Sequence, residues 1–234
     1  MIEAFGLSDQ GLVRKNNEDQ FFSSSTAGLC VLADGMGGAQ AGEMAATLAV
    51  SAVVEIATSE PPSQALLEAA FQEADRRVRV AAESDTSLRG MGTTLVAALE
   101  TPAGLAVATI GDSRCWLWQH GRLMLLTSDQ SWANEIGRSL GLTDEALSAH
   151  PLRNALTTAV GVGVLRQVQS VVVPVQAGSV ILLSSDGLHG VVSPEAIAEV
   201  LSQDGPLLFQ CQALIDIALA SGGPDNVTVV LGRV

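Results

Sequence analysis

The segment GLCVLADGMGG at residues 28–38 carries the strongest indication of how this chain folds. Residues 28–33 form a short apolar run that is typical of a buried strand. The run ends at Asp34, and three glycines follow within the next four residues. Because a strand fixes its final residue rigidly, the sequence predicts that the Asp34 carboxylate stands at a defined point on the end of a sheet.

Further strands and paired helices are predicted on either side of this segment. The predicted helices cover residues 41–58, 63–83, 194–203 and 206–221. The other predicted strands cover residues 2–8, 20–23, 93–100, 105–110, 114–119, 123–127, 168–175, 179–185 and 226–234. This order predicts an α+β fold, a β-sandwich of two antiparallel sheets flanked by pairs of helices in four layers, αββα. No linker or repeat interrupts it, so we expect a single domain over residues 1–234.

Charge and composition exclude several classes of partner. The chain has 12 basic and 25 acidic residues and a net charge of −13, which disfavours nucleic acid and anionic membranes. No apolar run reaches about 18 residues, and the N-terminus lacks a signal pattern. The three cysteines (Cys30, Cys115 and Cys211) are predicted to be buried free thiols, which suit a reducing compartment. We expect a cytoplasmic protein and a monomer.

Five short clusters place acidic residues or glycines at the ends of the predicted strands. They lie at residues 14–19, 34–38, 111–114, 185–187 and 223–226. Carboxylates that converge from several strand ends repel one another by several kcal/mol at moderate dielectric, so they need cations nearby. Oxygen ligands without histidine or cysteine favour Mg²⁺ or Mn²⁺.

Each cluster taken alone also fits an ordinary turn, since Asp-Gly commonly follows a strand. Five such clusters in one chain favour a site over five unrelated turns. A P-loop nucleotide site is excluded, because Lys15 follows arginine rather than glycine. Another two-metal hydrolase, such as a nuclease, would use similar aspartates, but the negative charge and the missing basic patch disfavour it.

Seven motifs in order resemble those of the metal-dependent protein phosphatases (the PPM, or type-2C, family) in their compact bacterial form. They are VRKNNED at 13–19, VLADGMGG at 31–38, GMGTTL at 90–95, IGDSR at 110–114, LTSDQS at 126–131, LLSSDGL at 182–188 and GGPDNVTVV at 222–230. The resemblance covers essentially the whole chain and implies a protein serine/threonine phosphatase. Its substrates would be phosphorylated proteins, modified by a bacterial serine/threonine kinase.

The resemblance implies two tightly bound Mn²⁺ or Mg²⁺ ions and a third, weaker ion. Asp34 would bridge the two tight ions, and a water shared by them would attack phosphorus in line. Asp186 and Asp225 would complete the shell of the first ion. Asp19 and the Gly35 carbonyl would hold the second, with Glu18 in its outer shell. Asp112 and Asp186 would hold the third.

The resemblance also implies roles for residues that do not bind metal. Arg14 would hold two phosphate oxygens through its planar guanidinium. Thr93 and Thr94 would support the site, and Asn226 would orient it. An inactive relative would normally have lost one of the metal-binding aspartates, and all of them are present here.

Residues 128–151 resemble the family's flap beside the active site, although they also fit an ordinary solvated loop. The flap residues that we expect near substrate are Asp129, Gln130 and Trp132. Gln130, Ala39 and Met36 stand where relatives often carry histidine. With no histidine placed as the acid, the resemblance implies that a metal-bound water protonates the leaving group.

Overall fold

The structure is a computed structural model that describes residues 2–165 and 168–234, and two antiparallel sheets form its centre. The strands are β1 (Glu3–Asp9), β2 (Asp19–Ser24), β3 (Leu29–Met36), β4 (Gly92–Thr93), β5 (Leu95–Thr101), β6 (Gly104–Ile110), β7 (Arg114–Gln119), β8 (Arg122–Leu125), β9 (Gln169–Val173), β10 (Val180–Ser184) and β11 (Val227–Arg233). One sheet has the order β1-β11-β10-β7-β8, and the other has the order β2-β3-β5-β6-β9, with β4 beside β3.

The helices are α1 (Ala39–Ala57), α2 (Gln64–Ser84), α3 (Asp144–Ser148), α4 (Asp186–His189), α5 (Pro194–Leu201) and α6 (Leu207–Ala220), with a 3₁₀ turn at Thr86–Leu88 and a π-helical turn at Trp132–Gly137. Two pairs of them cover the outer faces of the sheets. Helices α1 and α2 pack on the sheet that contains β3, and α5 and α6 pack on the sheet that contains β11. The predicted four-layer fold is therefore confirmed.

Apolar side chains fill each of the three spaces between these layers. The middle space, between the two sheets, contains Ile2, Cys30, Leu32, Val96, Ala98, Leu105, Val107, Cys115, Leu117, Ile181, Leu183 and Val230. All three cysteines are buried and free, as the sequence predicted.

Local hydrogen bonds explain where several elements begin and end. The Ser63 side chain accepts a hydrogen bond from the backbone N–H of Leu66 and begins α2. The predicted strand 123–127 ends two residues early, because the Thr127 hydroxyl accepts the Cys115 N–H in place of a backbone partner. The sequence prediction missed α4, a single helical turn that begins at Asp186 directly after β10.

We predict that Phe71→Ala lowers the free energy of unfolding by about 3–5 kcal/mol, because it opens a cavity in the core. Phe71 lies on α2 and is completely buried against the sheet that contains β3. Phe209→Ala is the matched control, because that ring is 67% exposed on α6. Urea unfolding of both variants measures the difference, and equal losses would contradict the assignment of the core.

Candidate metal centre

The register of two strands brings Asp19 and Asp34 together. Asp19 begins β2 and lies directly opposite Asp34 of β3. Directly opposed residues in an antiparallel pair have Cβ atoms about 4.5–5.5 Å apart. The two carboxylates are therefore neighbours because of backbone pairing, whatever their side-chain rotamers.

Thr93 and Thr94 hold the backbone of Asp34 on both sides. The Thr94 hydroxyl accepts the Asp34 N–H at 3.0 Å, and the Asp34 carbonyl accepts the Thr94 N–H at 2.9 Å and the Thr93 hydroxyl at 2.8 Å. Both threonines are buried. Thr94 also shares a 2.7 Å hydrogen bond with the hydroxyl of Ser113, the residue after Asp112. These bonds connect the backbone of Asp34 to the loop that carries Asp112.

Close backbone contacts bring the remaining acidic residues to the same end of the sandwich. A Cβ at Gly187 would lie 1.9 Å from the Asn226 carbonyl oxygen, so glycine is required where α4 meets the start of β11. This contact places Asp186 beside Asp225. A Cβ at Gly35 would likewise lie 2.2 Å from the Gly42 carbonyl oxygen, so α1 begins in contact with the end of β3.

Burial and mutual repulsion raise the pKa values of these carboxyl groups. The pKa of Asp34 is raised well above its usual value, first by burial and then by the charges of its acidic neighbours (Asp19, Asp186, Asp112 and Asp225). The pKa of Asp19 is raised to about 7 by burial, although hydrogen bonds from Thr228 and Ser185 oppose the shift. Burial and the charge of Asp186 also raise the pKa of Asp112 to about 7. The pKa of Asp186 is also raised, first by burial and then by the charge of Asp225.

The donor set fits a hard divalent cation. Asp19 Oδ2 accepts hydrogen bonds from the Ser185 hydroxyl at 2.9 Å and the Thr228 hydroxyl at 2.6 Å. Its Oδ1 is buried and has no hydrogen-bond partner within the described ranges. A buried carboxylate oxygen without a partner is costly unless a cation binds it. Neither Ser185 nor Thr228 was predicted to contact the site, although both lie within the motifs at 182–188 and 222–230.

The carboxylates do not form a ready metal cage. Across residues 2–165 and 168–234, no three acidic, histidine or cysteine side chains stand together in a metal-holding arrangement. Asp225 instead accepts a 2.5 Å hydrogen bond from the guanidinium of Arg14. If Asp225 held a metal ion, the ion would replace Arg14 as its cationic partner.

Asn226 and Glu18 tie the N-terminal loop to the site. Asn226 Oδ1 accepts the Glu18 N–H at 2.9 Å, and its Nδ2 donates to the carbonyls of Gln10 and Asn16 at 2.9 and 2.7 Å. A Cβ at Gly42 would lie 1.9 Å from Glu18 Oε2, so the Glu18 carboxylate lies against the start of α1. Asn226 thus orients the loop that carries Arg14, Glu18 and Asp19.

The loop that carries Asp112 is bound by two residues whose contacts the sequence did not reveal. Gln130, expected at the substrate flap, is buried. Its side-chain oxygen accepts the Gly111 N–H at 2.8 Å, and its backbone N–H donates to the Gly111 carbonyl at 2.9 Å. His189 lies near the Asp112 backbone and shares a 2.9 Å hydrogen bond with the Ser184 hydroxyl. Burial lowers the pKa of His189 well below its usual value, so the imidazole is neutral.

The other two expected flap residues make defined contacts. Asp129 forms two parallel hydrogen bonds with Arg114, at 2.9 and 2.7 Å. The Trp132 indole stacks on the His150 ring, with centroids 3.9 Å apart and planes inclined by 8°. These contacts anchor the first part of the segment, whereas residues 138–146 are exposed to solvent.

Comparison with known proteins identifies a family for this chain. The family model for protein phosphatase 2C matches residues 13–208. Serine/threonine phosphatase Stp of Listeria monocytogenes is 35% identical, and the match covers 96% of this chain and 92% of that protein. Serine/threonine protein phosphatase PstP of Mycobacterium tuberculosis is 38% identical over 97% of this chain, which spans 44% of that longer protein.

Solved structures agree with the sequence relatives. The crystal structure of M. tuberculosis PstP superposes with a TM-score of 0.91 at 37% identity, covering 100% of this chain and 98% of that one. The PstP catalytic domain in complex with two manganese ions gives a TM-score of 0.88 at 37% identity, covering 99% and 97%. The S. agalactiae serine/threonine phosphatase gives 0.91 at 32% identity, covering all of both chains. Together with the family match over residues 13–208, these likenesses show that the chain belongs to the protein phosphatase 2C family.

Proposed function

We propose that Asp34, Asp19, Asp186 and Asp225 hold the two ions with which this chain removes phosphate from phosphoserine and phosphothreonine. The chain is a metal-dependent protein serine/threonine phosphatase that uses Mn²⁺ or Mg²⁺. The observation that carries the assignment is the buried, unpartnered Asp19 Oδ1 on the residue directly opposite Asp34. The ions, when bound, supply an acidified water for in-line attack on phosphorus.

Some of these residues bind the two ions, and others position the binding residues. Asp34 faces both tight ions, Asp186 and Asp225 complete the first, and Asp19 with the Gly35 carbonyl holds the second. Glu18 stands in the outer shell of the second ion. The hydrogen bonds from Thr93 and Thr94 support this assignment, because they fix the Asp34 backbone.

Asp112 and Arg14 act at the edge of this centre. Asp112, with Asp186, would bind the third and weaker ion; the charge of Asp186 adds to burial in raising the pKa of Asp112. Arg14 leaves Asp225 when metal binds there, and its guanidinium then receives two phosphate oxygens. Arg14 therefore pairs with the Asp225 carboxylate in the metal-free protein and with the substrate phosphate in the metal-bound protein.

The substrates are phosphorylated proteins modified by a serine/threonine kinase of the same cell, and the net charge of −13 disfavours nucleic acid and anionic membranes. The protein acts in the cytoplasm as a monomer, and residues 1–234 form one phosphatase domain. Pairing of β1 with β11, from opposite ends of the sequence, supports the single domain. Within the described residues no helix has the length and apolar character to cross a membrane.

Substitution of the bridging ligand tests the metal centre. We expect Asp34→Asn to lower kcat for p-nitrophenyl phosphate by at least about 10³ and to abolish tight Mn²⁺ binding. Asp112→Asn keeps two Mn²⁺ ions and loses the weakest one in isothermal titration calorimetry. Asp204→Asn, on the exposed surface, is the control. Unchanged Mn²⁺ binding in Asp34→Asn, or full activity in EDTA, contradicts the assignment.

The stability of the metal-free protein should fall as pH rises from about 4 to about 8. The pKa values of Asp19 and Asp112 are raised to about 7 in the folded chain, against about 4 when unfolded. Such groups stabilise the folded state fully below the unfolded value, and that contribution is lost as pH rises through the folded value. The pKa of Glu73 is lowered instead, to about 2, so its contribution to stability is lost only in more acidic solution.

Thermal unfolding of metal-stripped protein, followed by circular dichroism across this pH range, measures the effect. In Asp34→Asn the fall in Tm should be shallower, because a neutral amide removes repulsion from the neighbours. A Tm that rises across this range in the wild type, or a steeper fall in the variant, would show that repulsion among the aspartates is not the cause.

Arg14→Ala should raise KM for a phosphothreonine peptide by about ten- to a hundredfold, because a charge-assisted pair of hydrogen bonds to phosphate is lost. Arg14→Lys should restore only part of the loss, because lysine lacks the planar fork. Lys15→Ala removes the same charge from the next residue and should change KM by less than about threefold. Equal effects at both positions would point to general attraction rather than phosphate binding by Arg14.

A further inference from the structure

A cavity of about 480 Å³ lies between the flap and the β7–β8 hairpin, outside the carboxylate cluster. We name it the flap cavity and define it by six of its lining residues, Arg114, Asp129, Asn134, Arg138, Asp144 and Arg153. Its lining is rich in charged and polar groups. None of these six is expected to bind metal.

The flap cavity is positively charged within a strongly negative protein. Three arginines and two aspartates line it, which leaves a net charge of +1 where the whole chain carries −13. Arg114 is engaged in two parallel bonds with Asp129. Arg138 pairs with Asp144 at 3.1 Å, but the side chains are 59% and 80% exposed, so the pair is weak.

Arg153 is the cation of this cavity that stays available. It lines the cavity, it is exposed, and it forms no ion pair with any carboxylate in the described part of the chain. Arg138 can join it by leaving Asp144, because an exposed pair exchanges partners at little cost. Two guanidinium groups can therefore receive one anionic group in the cavity.

The inner end of the cavity adjoins the reaction centre. Asp129 and Arg114 both lie close enough to Asp112 for their charges to change its pKa, in opposite directions. The next residue, Gln130, is bonded to Gly111 beside Asp112. An extended peptide advances about 3.3 Å per residue, so a substrate bound at the metals reaches the cavity within a few residues of its phosphorylated side chain.

We propose that the flap cavity is a specificity subsite that binds a carboxylate side chain of the substrate, an aspartate or glutamate two to four residues from the phosphorylated one. The proposal rests on the phosphatase function described above. The long-range repulsion between an acidic protein and an acidic substrate is screened beyond about 8 Å in physiological salt, whereas contact with Arg153 is not. The subsite therefore selects acidic sequences that the net charge alone would disfavour.

Matched phosphothreonine peptides test this subsite. Each otherwise uncharged peptide carries either aspartate or its neutral isostere asparagine at one position, from four residues before to four residues after the phosphothreonine. With Mn²⁺ at saturation, the wild type should show a kcat/KM ratio of aspartate to asparagine of about five at one or two positions on one side. Arg153→Gln should reduce that ratio to about one. Arg153→Glu should instead favour a lysine peptide at the same position.

The ratio compares two peptides on the same protein, so a partly misfolded variant does not distort it. Arg76→Gln is the matched control, because it removes one arginine charge from the exposed face of α2 and should leave the ratio unchanged. A wild type without positional preference, a preference that survives in Arg153→Gln, or an equal loss in Arg76→Gln overturns the proposal. If the same wild-type sample hydrolyses p-nitrophenyl phosphate in a metal-dependent way, such a result rules out the subsite and leaves the phosphatase function intact.

Discussion

Repulsion among buried carboxylates is the constraint on which the rest of this structure depends. Asp19 is buried and Asp34 and Asp186 are half-buried at one end of the sandwich, and the charges of Asp19 and Asp186 make Asp34 harder to ionise. A protein can hold like charges so close only if protons or cations share the site. Divalent cations are therefore needed both for the chemistry and for a stable ionised centre at neutral pH.

The aspartates cannot relieve this repulsion by moving apart, because backbone contacts set their positions. Asp19 and Asp34 are paired by strand register. The approaches of Gly35 to Gly42 and of Gly187 to Asn226 leave no room for a Cβ, so the segments around the cluster are tightly packed. Only the side chains remain free to rotate, and the Asp225 carboxylate is directed toward the guanidinium of Arg14. The fold thus fixes the backbone positions of the candidate ligands and leaves the last adjustment to their side chains.

The positive charges of this acidic protein matter through their positions rather than their number. Arg14 lies at the carboxylate cluster, and Arg114 lies where the flap meets the loop of Asp112. Exposed charges more than about 8–10 Å apart are largely screened at physiological salt, so an approaching phosphopeptide responds to the local groups. The net charge describes which partners the whole surface repels, and the local arginines decide what the site accepts.

The sequence by itself determined the four-layer fold and the identity of the candidate ligands. Strand and helix periodicities are local, and each aspartate stands beside an apolar strand in a short motif, so both were predictable from neighbouring residues. Only the tertiary structure decided that Ser185 and Thr228 bind Asp19, that Gln130 packs inside against Gly111, and that the His189 ring is hydrogen bonded to Ser184. Thr228 and Asp19, for example, are 209 positions apart. Such contacts depend on how sheets and loops pack in three dimensions, and no periodicity in a single chain records the direction in which a side chain finally points.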